Sequence, residues 1–277
     1  MLNPLLAIDF YKVDHRRQYP KGTTKVYSNL TPRSARLYKG KSDKVVVFGI
    51  QMFIKDFLLS WNDNFFSRPK SLVCNQYKVF MQLTLGISDF DVSHIEALHD
   101  LGYLPIEIKA LPEGTRCPIK VPILTITNTV DEFYWIVNYV ETVMSAELWK
   151  PITNATIAAD YRQAFETYAA TTGVDTFGIQ FQGHDFSARG LSNREDQYRT
   201  QISHLTSFTG TDTVLAIQGA IDFYNADISK ELVGTSVPAT EHSVSSSRIF
   251  NYERQIDELL AQNPNLTQTE IYQYLVP

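Results

Sequence analysis

Four short segments carry residue types that could do chemistry. The first is His184-Asp185-Phe186-Ser187-Ala188-Arg189-Gly190. A loop offering an aromatic ring and a guanidinium suits a flat heterocycle joined to a phosphate: Phe186 can stack on the ring and Arg189 can fork onto phosphate oxygens. The competing reading has His184 and Asp185 capping and pairing locally, with Phe186 in the core. The second segment is Gly210-Thr211-Asp212-Thr213. Asp212 could accept a hydrogen bond from a ligand, favouring a neutral amide and repelling a carboxylate. Asp and Thr at a strand-to-helix junction are also ordinary helix caps.

The third segment is Pro238-Ala239-Thr240-Glu241-His242-Ser243. A histidine there could serve as general base or phosphoryl acceptor, because its ordinary pKa lies near neutrality. Glu241 would be a poor partner for it on a strand, where neighbouring side chains face opposite ways. The fourth is Asp9-Phe10-Tyr11-Lys12-Val13-Asp14-His15, followed by Thr31-Pro32-Arg33-Ser34. Tyr11 offers a ring, and Lys12 and Arg33 offer charge. A solvated amphipathic helix and loop would explain the same residues. His15, His94, His99 and His204 lack a catalytic context.

The elements that must hold these segments alternate. Lys44 to Leu59 starts as a buried strand and shifts to helical spacing. Residues 104 to 129 break into short β-like pieces punctuated by Pro105, Pro112, Gly114, Pro118 and Pro122, which suits a small sheet. Residues 132 to 149 read as a largely buried helix. Pro151 opens the next segment, where Ile157, Tyr161, Phe165 and Tyr168 mark one face of an amphipathic helix ended by Gly173. Residues 177–182 then read as a strand, 192–203 as a helix, 205–208 as a strand and 213–224 as a helix. That alternation indicates βαβ units, with both candidate loops at the C-terminal ends of strands. From Arg248 the chain reads as polar helix, with Thr267 capping a final one. The expected fold class is α/β: a mixed α+β domain over 1–172, then the start of a βα-barrel over 173–277.

Composition bounds the functions. The chain has 277 residues, 44% hydrophobic and 20% charged, so a sizeable core can form. Its net charge of −5 and pI near 5.7 argue against a general nucleic-acid binder. Two cysteines outside any metal spacing read as reduced thiols. There is no signal-like start and no bilayer-length apolar run, so the expectation is a soluble, cytoplasmic protein. The P-loop, GxGxxG, HExxH and GxSxG patterns are absent.

Taken in order, LLAIDFYKVDHRRQYPKGTTKVYS, LPIEIKALPEG, ELWKPITNATIAADYR, HDFSARG, FTGTDTVLA and SVPATEHS resemble the nicotinamide phosphoribosyltransferase family. The resemblance spans Leu5 to about Ser245. It implies a type II phosphoribosyltransferase barrel that joins nicotinamide to phosphoribosyl pyrophosphate, giving nicotinamide mononucleotide and pyrophosphate in NAD salvage. It also implies roles. Phe186 matches one face of a nicotinamide sandwich, and Tyr11 the other, supplied from the second subunit of a homodimer. Asp212 matches the acid that binds the carboxamide, Arg189 an arginine lining the site, and Arg33 a phosphate contact. His242 matches the histidine that ATP phosphorylates, and Mg²⁺ is expected to arrive with phosphoribosyl pyrophosphate. Family chains run on past residue 277, so residues 1–277 are expected to be an N-terminal portion that is weak or inactive alone. Two other readings stay open: a nicotinate-using sister enzyme, and a non-catalytic subunit that needs a second polypeptide.

Overall fold

A computed structural model describes residues 3–40 and 42–275. The chain forms two compact units, one running to Thr235 and one from Ser236 onward. In the first unit, short 3₁₀ turns at Pro4–Leu6 and Phe10–Asp14 lead into helix α1 (His15–Gln18). Strands β1 (Tyr27–Leu30) and β2 (Lys44–Val46) precede helices α2 (Ile50–Trp61), α3 (Lys70–Leu85) and α4 (Ser93–Leu101). Strands β3 (Ile106–Ala110), β4 (Arg116–Pro118) and β5 (Leu124–Asn128) follow. The sheet expected between residues 104 and 129 therefore exists, but it recruits earlier strands. β5 lies between β1 and β3, antiparallel to both, with Ile126 opposite Ser28 and Ile108. β2 pairs with β4, Val45 opposite Cys117.

The main core lies between these strands and the helices around them. Leu124 and Ile126 point inward from β5, where alternation buries every second side chain. Phe53, Phe57, Trp61 and Phe65 form a chain of ring contacts along α2 and the π turn after it. Polar groups inside are partnered. The Asn128 side chain accepts from the Val26 N–H and donates to two carbonyls, and the Tyr139 hydroxyl donates to the Leu5 carbonyl at 2.6 Å. Cys74 and Cys117 are both buried free thiols.

The stretch expected as one buried helix up to Trp149 is broken. It becomes a 3₁₀ turn (Asp131–Phe133), α5 (Ile136–Tyr139) and the start of α6 (Glu141–Thr172). Pro151 does not open a helix; it sits buried inside α6. It packs on Gly49, whose φ of +86° and whose clearance (an added Cβ would lie 2.9 Å from Pro151 Cβ) both require glycine. The expected apolar face of this helix is only partly present. Phe165 packs edge-on against Phe208 and Ile157 is half-buried, but Tyr161 and Tyr168 are exposed. The buried residues from Pro151 onward are Pro151, Ile152, Ala155, Thr156, Ala158, Ala159 and Ala169. Small side chains let α6 approach β2 and the later helices closely. Ala155 and Ala159 join Val46, Phe48, Met52, Ile202 and Ala220 in one cluster. Gly173, at φ +72°, ends the helix as expected.

Beyond Gly173 the chain continues as a 3₁₀ turn at Phe177–Phe181, helices α7 (Arg194–Thr200) and α8 (Ile202–Leu205), and α9 (Val214–Tyr224). The strand expected at 177–182 is thus helical, and 205–208 is the end of α8 and a turn. The parallel arrangement survives one step further along each segment, as isolated bridges from Asp185 to Thr211 and from Gly210 to Thr235. The first unit is thus a mixed α/β structure followed by the first parallel contacts of a barrel-like sheet. In the second unit, α10 (His242–Gln262) starts six residues before the expected Arg248, so His242 lies on a helix and not on a strand, and α11 (Gln268–Leu275) is helical as expected. Thr267 and Glu270 cap the last one reciprocally: Glu270 Oε2 accepts from the Thr267 N–H at 2.8 Å, and Thr267 Oγ1 accepts from the Glu270 N–H at 3.4 Å. Among the described residues, no helix is long and apolar enough to cross a membrane.

Candidate active site

Backbone hydrogen bonds tie three segments side by side. The Asp185 N–H donates to the Gly210 carbonyl at 3.1 Å, and the Asp212 N–H donates to the Asp185 carbonyl at 2.8 Å. The Thr211 N–H donates to the Thr235 carbonyl and the Thr235 N–H to the Thr209 carbonyl, both at 2.8 Å. In extended chain, alternate residues face opposite sides. Asp185 accordingly turns inward and is buried, whereas His184 and Phe186 share the other side with ring centroids 4.4 Å apart. Phe186 is 66% exposed, so it is not core. An aromatic face held open beside a carboxylate is available for a flat ligand.

Asp185 is the anchor below this surface. Its carboxylate accepts the Ser187 N–H at 2.9 Å and lies 3.3 Å from the Thr211 hydroxyl. Burial would raise its pKa, but the Ser187 N–H and the nearby Thr213 and His204 side chains outweigh burial and hold it below the usual carboxylate value. His204 Nε2 contacts the Gly210 carbonyl at 3.0 Å, and burial lowers its pKa. Its expected structural role fits these contacts. Sequence reasoning missed what His184 does: its Nε2 lies 2.8 Å from Asp212 Oδ1. The only trace in the sequence is a histidine beside a strand end, and the pairing spans 28 positions.

The other candidates are placed as follows. Arg189 is exposed on a 3₁₀ turn at Ala188–Gly190, three residues beyond Phe186. Tyr11 is 63% exposed, and its ring meets His15 at 5.2 Å. Among the described residues it makes no ring contact with Phe186. Lys12 does not offer its charge outward: it is buried and paired with Glu141 at 2.6 Å. Arg33 is exposed on the rim of a separate cavity of about 280 Å³, between the segment after β1 and the middle of α6. His242 is the exposed first residue of α10, in the second unit. The structure therefore brings Phe186 and Asp212 together through His184, with Arg189 nearby in sequence. Tyr11 and Arg33 lie elsewhere in the first unit. Among the described residues, no group of three or more His, Cys, Asp or Glu side chains could hold a metal.

Comparison with known proteins gives this geometry a context. Residues 3–108 match the model of the nicotinamide phosphoribosyltransferase N-terminal domain. Residues 181–275, which include the Phe186–Asp212 surface, match that of the nicotinate phosphoribosyltransferase (NAPRTase) family. A nicotinamide phosphoribosyltransferase of Acinetobacter baylyi is 54% identical over 267 residues, covering 93% of this chain and 52% of its own length. The chain matches the N-terminal portion of the nicotinamide phosphoribosyltransferase family. The Xanthomonas campestris nicotinamide phosphoribosyltransferase is 31% identical, covering 92% of this chain and 51% of its own. The chain thus spans about half the length of these curated relatives. A crystal structure of human nicotinic acid phosphoribosyltransferase superposes with a TM-score of 0.57 at 17% identity, over 86% of this chain and 40% of that one. That likeness supports the type II phosphoribosyltransferase fold alone.

Proposed function

We propose that this chain is part of a pentosyltransferase that moves the phosphoribosyl group of phosphoribosyl pyrophosphate onto nicotinamide, releasing pyrophosphate and nicotinamide mononucleotide for NAD salvage. The single observation that carries the reading is the exposed Phe186 ring beside Asp212, at the end of the parallel bridges. The ring stacks on the pyridine, and Asp212 accepts from the neutral carboxamide while repelling a carboxylate. The product is a pyridinium cation, which an aromatic face favours. Tyr11 of a second copy covers the opposite face, making the working form a homodimer, and its exposure leaves it available for that contact.

Arg189 binds phosphate oxygens of phosphoribosyl pyrophosphate beside the base, and Arg33, like Tyr11, reaches the substrate from the second copy. His242, at the N-terminus of a 21-residue helix, accepts the γ-phosphoryl of ATP on a ring nitrogen while ADP leaves. Mg²⁺ would arrive with the pyrophosphate and neutralise its charge, held mainly by water and phosphate oxygens; the described residues offer no group of three or more His, Cys, Asp or Glu for it. Residues 1–172 and 173–277 are then portions of two domains of the whole protein, which works in the cytoplasm.

One observation favours nicotinate as an alternative base: the family match over residues 181–275. The charge of Asp212 opposes it. The test is turnover by the full natural protein with Mg²⁺, phosphoribosyl pyrophosphate and ATP, giving each base in parallel to the natural protein and to Asp212→Ser. Nicotinamide mononucleotide is expected from the natural protein, with the preference relaxed in Asp212→Ser. A natural preference for nicotinate, or no product from either base, would overturn the reading.

A further inference from the structure

We infer that His184 is a positioning residue that sets base selectivity, by holding the Asp212 carboxylate and the Phe186 ring in one fixed arrangement. The inference rests on the proposed nicotinamide site and adds a residue to which that proposal gives no role. His184 Nε2 lies 2.8 Å from Asp212 Oδ1. A carboxylate oxygen only accepts, so Nε2 is the donating nitrogen. On one flat side the imidazole meets the Phe186 ring, 4.4 Å away and tilted by 31°. The remaining nitrogen, Nδ1, faces Gly210, where an added Cβ would come within 2.8 Å of it. The imidazole is therefore held on three sides, and glycine at 210 is what leaves it room.

The backbone beneath these contacts is fixed from both ends. Residues 185 and 212 exchange a main-chain hydrogen bond, and residues 185 and 210 another. The Gly210 carbonyl also meets His204 Nε2, and the buried Asp185 carboxylate holds the Ser187 N–H. Cross-linked in this way, positions 184 and 212 cannot slide past each other without breaking the bridge. The pair is also partly withdrawn from water, with side-chain exposures of 18% for His184 and 40% for Asp212. A hydrogen bond to a charged group in such a place contributes more than a fully exposed surface pair.

The chemical consequence is selectivity. Phe186 sets the plane in which a stacked base lies. A donor on Oδ1 orients the carboxylate relative to that plane. Without that donor the carboxylate loses its His184 restraint, so its aim at the amide N–H, and with it the discrimination between amide and carboxylate, weakens.

Three variants of the full natural protein separate this role from mere support. His184→Phe keeps a flat ring against Phe186 and removes the donor. His184→Gln restores an N–H donor at similar reach and removes the ring. Gly210→Ala keeps the imidazole and pushes it aside. The readout is the ratio of kcat/KM for nicotinamide to that for nicotinate, with KM for phosphoribosyl pyrophosphate as an internal control. His184→Phe should lower the ratio about tenfold, the loss of one charge-assisted hydrogen bond, mostly through KM for nicotinamide. His184→Gln should return it to within about threefold of the natural value, and Gly210→Ala should fall between. Equal losses for both bases in His184→Phe, or no recovery in His184→Gln, would overturn the inference. Should His184→Phe fail to fold, an unchanged ratio in Gly210→Ala would overturn it instead. Absence of turnover in the natural protein would sink the proposed function and this inference together. A nicotinamide preference that survives His184→Phe would sink this inference alone.

Discussion

The segment before Gly173 and the segment after it spend their aromatic residues differently. Before it, Phe53, Trp61, Phe65 and Tyr77 are each at most 2% exposed and pack against one another or against the sheet. After it, Phe208 is buried at 2% exposure, but Phe177 and Phe186 stand 70% and 66% exposed. The first region uses rings to exclude water from a core. The second holds an aromatic ring and a carboxylate at the ends of three bridged segments, where a ligand can reach them. The difference separates residues that hold the fold together from residues free to bind.

The sharpest way to break that contrast is to truncate one ring from each region. Phe53→Ala should cost about 3–5 kcal/mol in denaturant unfolding, from lost burial plus a residual cavity. Phe186→Ala should change stability by no more than about 0.5 kcal/mol while weakening nicotinamide binding about tenfold. Comparable stability losses would mean that Phe186 is core after all.

A second test uses pH. Burial pushes the His94 pKa down to about 4, so the folded state resists a proton that the unfolded chain takes up near 6.5. That contribution is fully present above pH 6.5 and is lost as pH falls toward 4, by up to about 3 kcal/mol. Melting curves across this window should show the decline, and His94→Phe, which keeps a ring against Trp135, should flatten it.

Smaller in effect is the joint between the two regions. Arg199 on α7 forks to Asp56 on α2 and Glu147 on α6, at 2.6 Å each. Burial raises the Glu147 pKa despite that cation. Arg199→Met strands both carboxylates and should cost about 2 kcal/mol, less than for a fully buried pair because all three groups keep some water. The smallest effect is expected at Tyr168, 71% exposed on α6, where Tyr168→Gln should shift stability by no more than about 0.5 kcal/mol. A larger loss there would restore the tyrosine face that spacing had indicated.

Much of the scaffold was legible because its signals are local. The strand at Lys44, the short strands after Pro105, the stop at Gly173 and the Thr267 cap all depend on residues near one another in sequence. What was not legible depends on distant partners. Pro151 looks like a helix start until Gly49 is packed against it. The tyrosines of α6 keep helical spacing yet face outward, because alanines are what allow the helix close to β2. The apolar alternation at 177–181 resembles a strand but closes as a 3₁₀ turn, leaving only Asp185, Gly210–Thr211 and Thr235 to make parallel contacts. At the site, Phe186 and Asp212 could be singled out by residue type, whereas His184 gains its role only through a bridge between segments 28 positions apart.

The central claim is that the Phe186–Asp212 surface takes a neutral aromatic amide. The most direct measurement is the equilibrium binding of nicotinamide and of nicotinate to the full natural protein, by titration calorimetry, repeated with Phe186→Ala. Nicotinamide is expected to bind at least about tenfold more tightly than nicotinate, with its own affinity lowered about tenfold in Phe186→Ala. Equal affinity for the two bases, or nicotinamide binding untouched by Phe186→Ala, would contradict it.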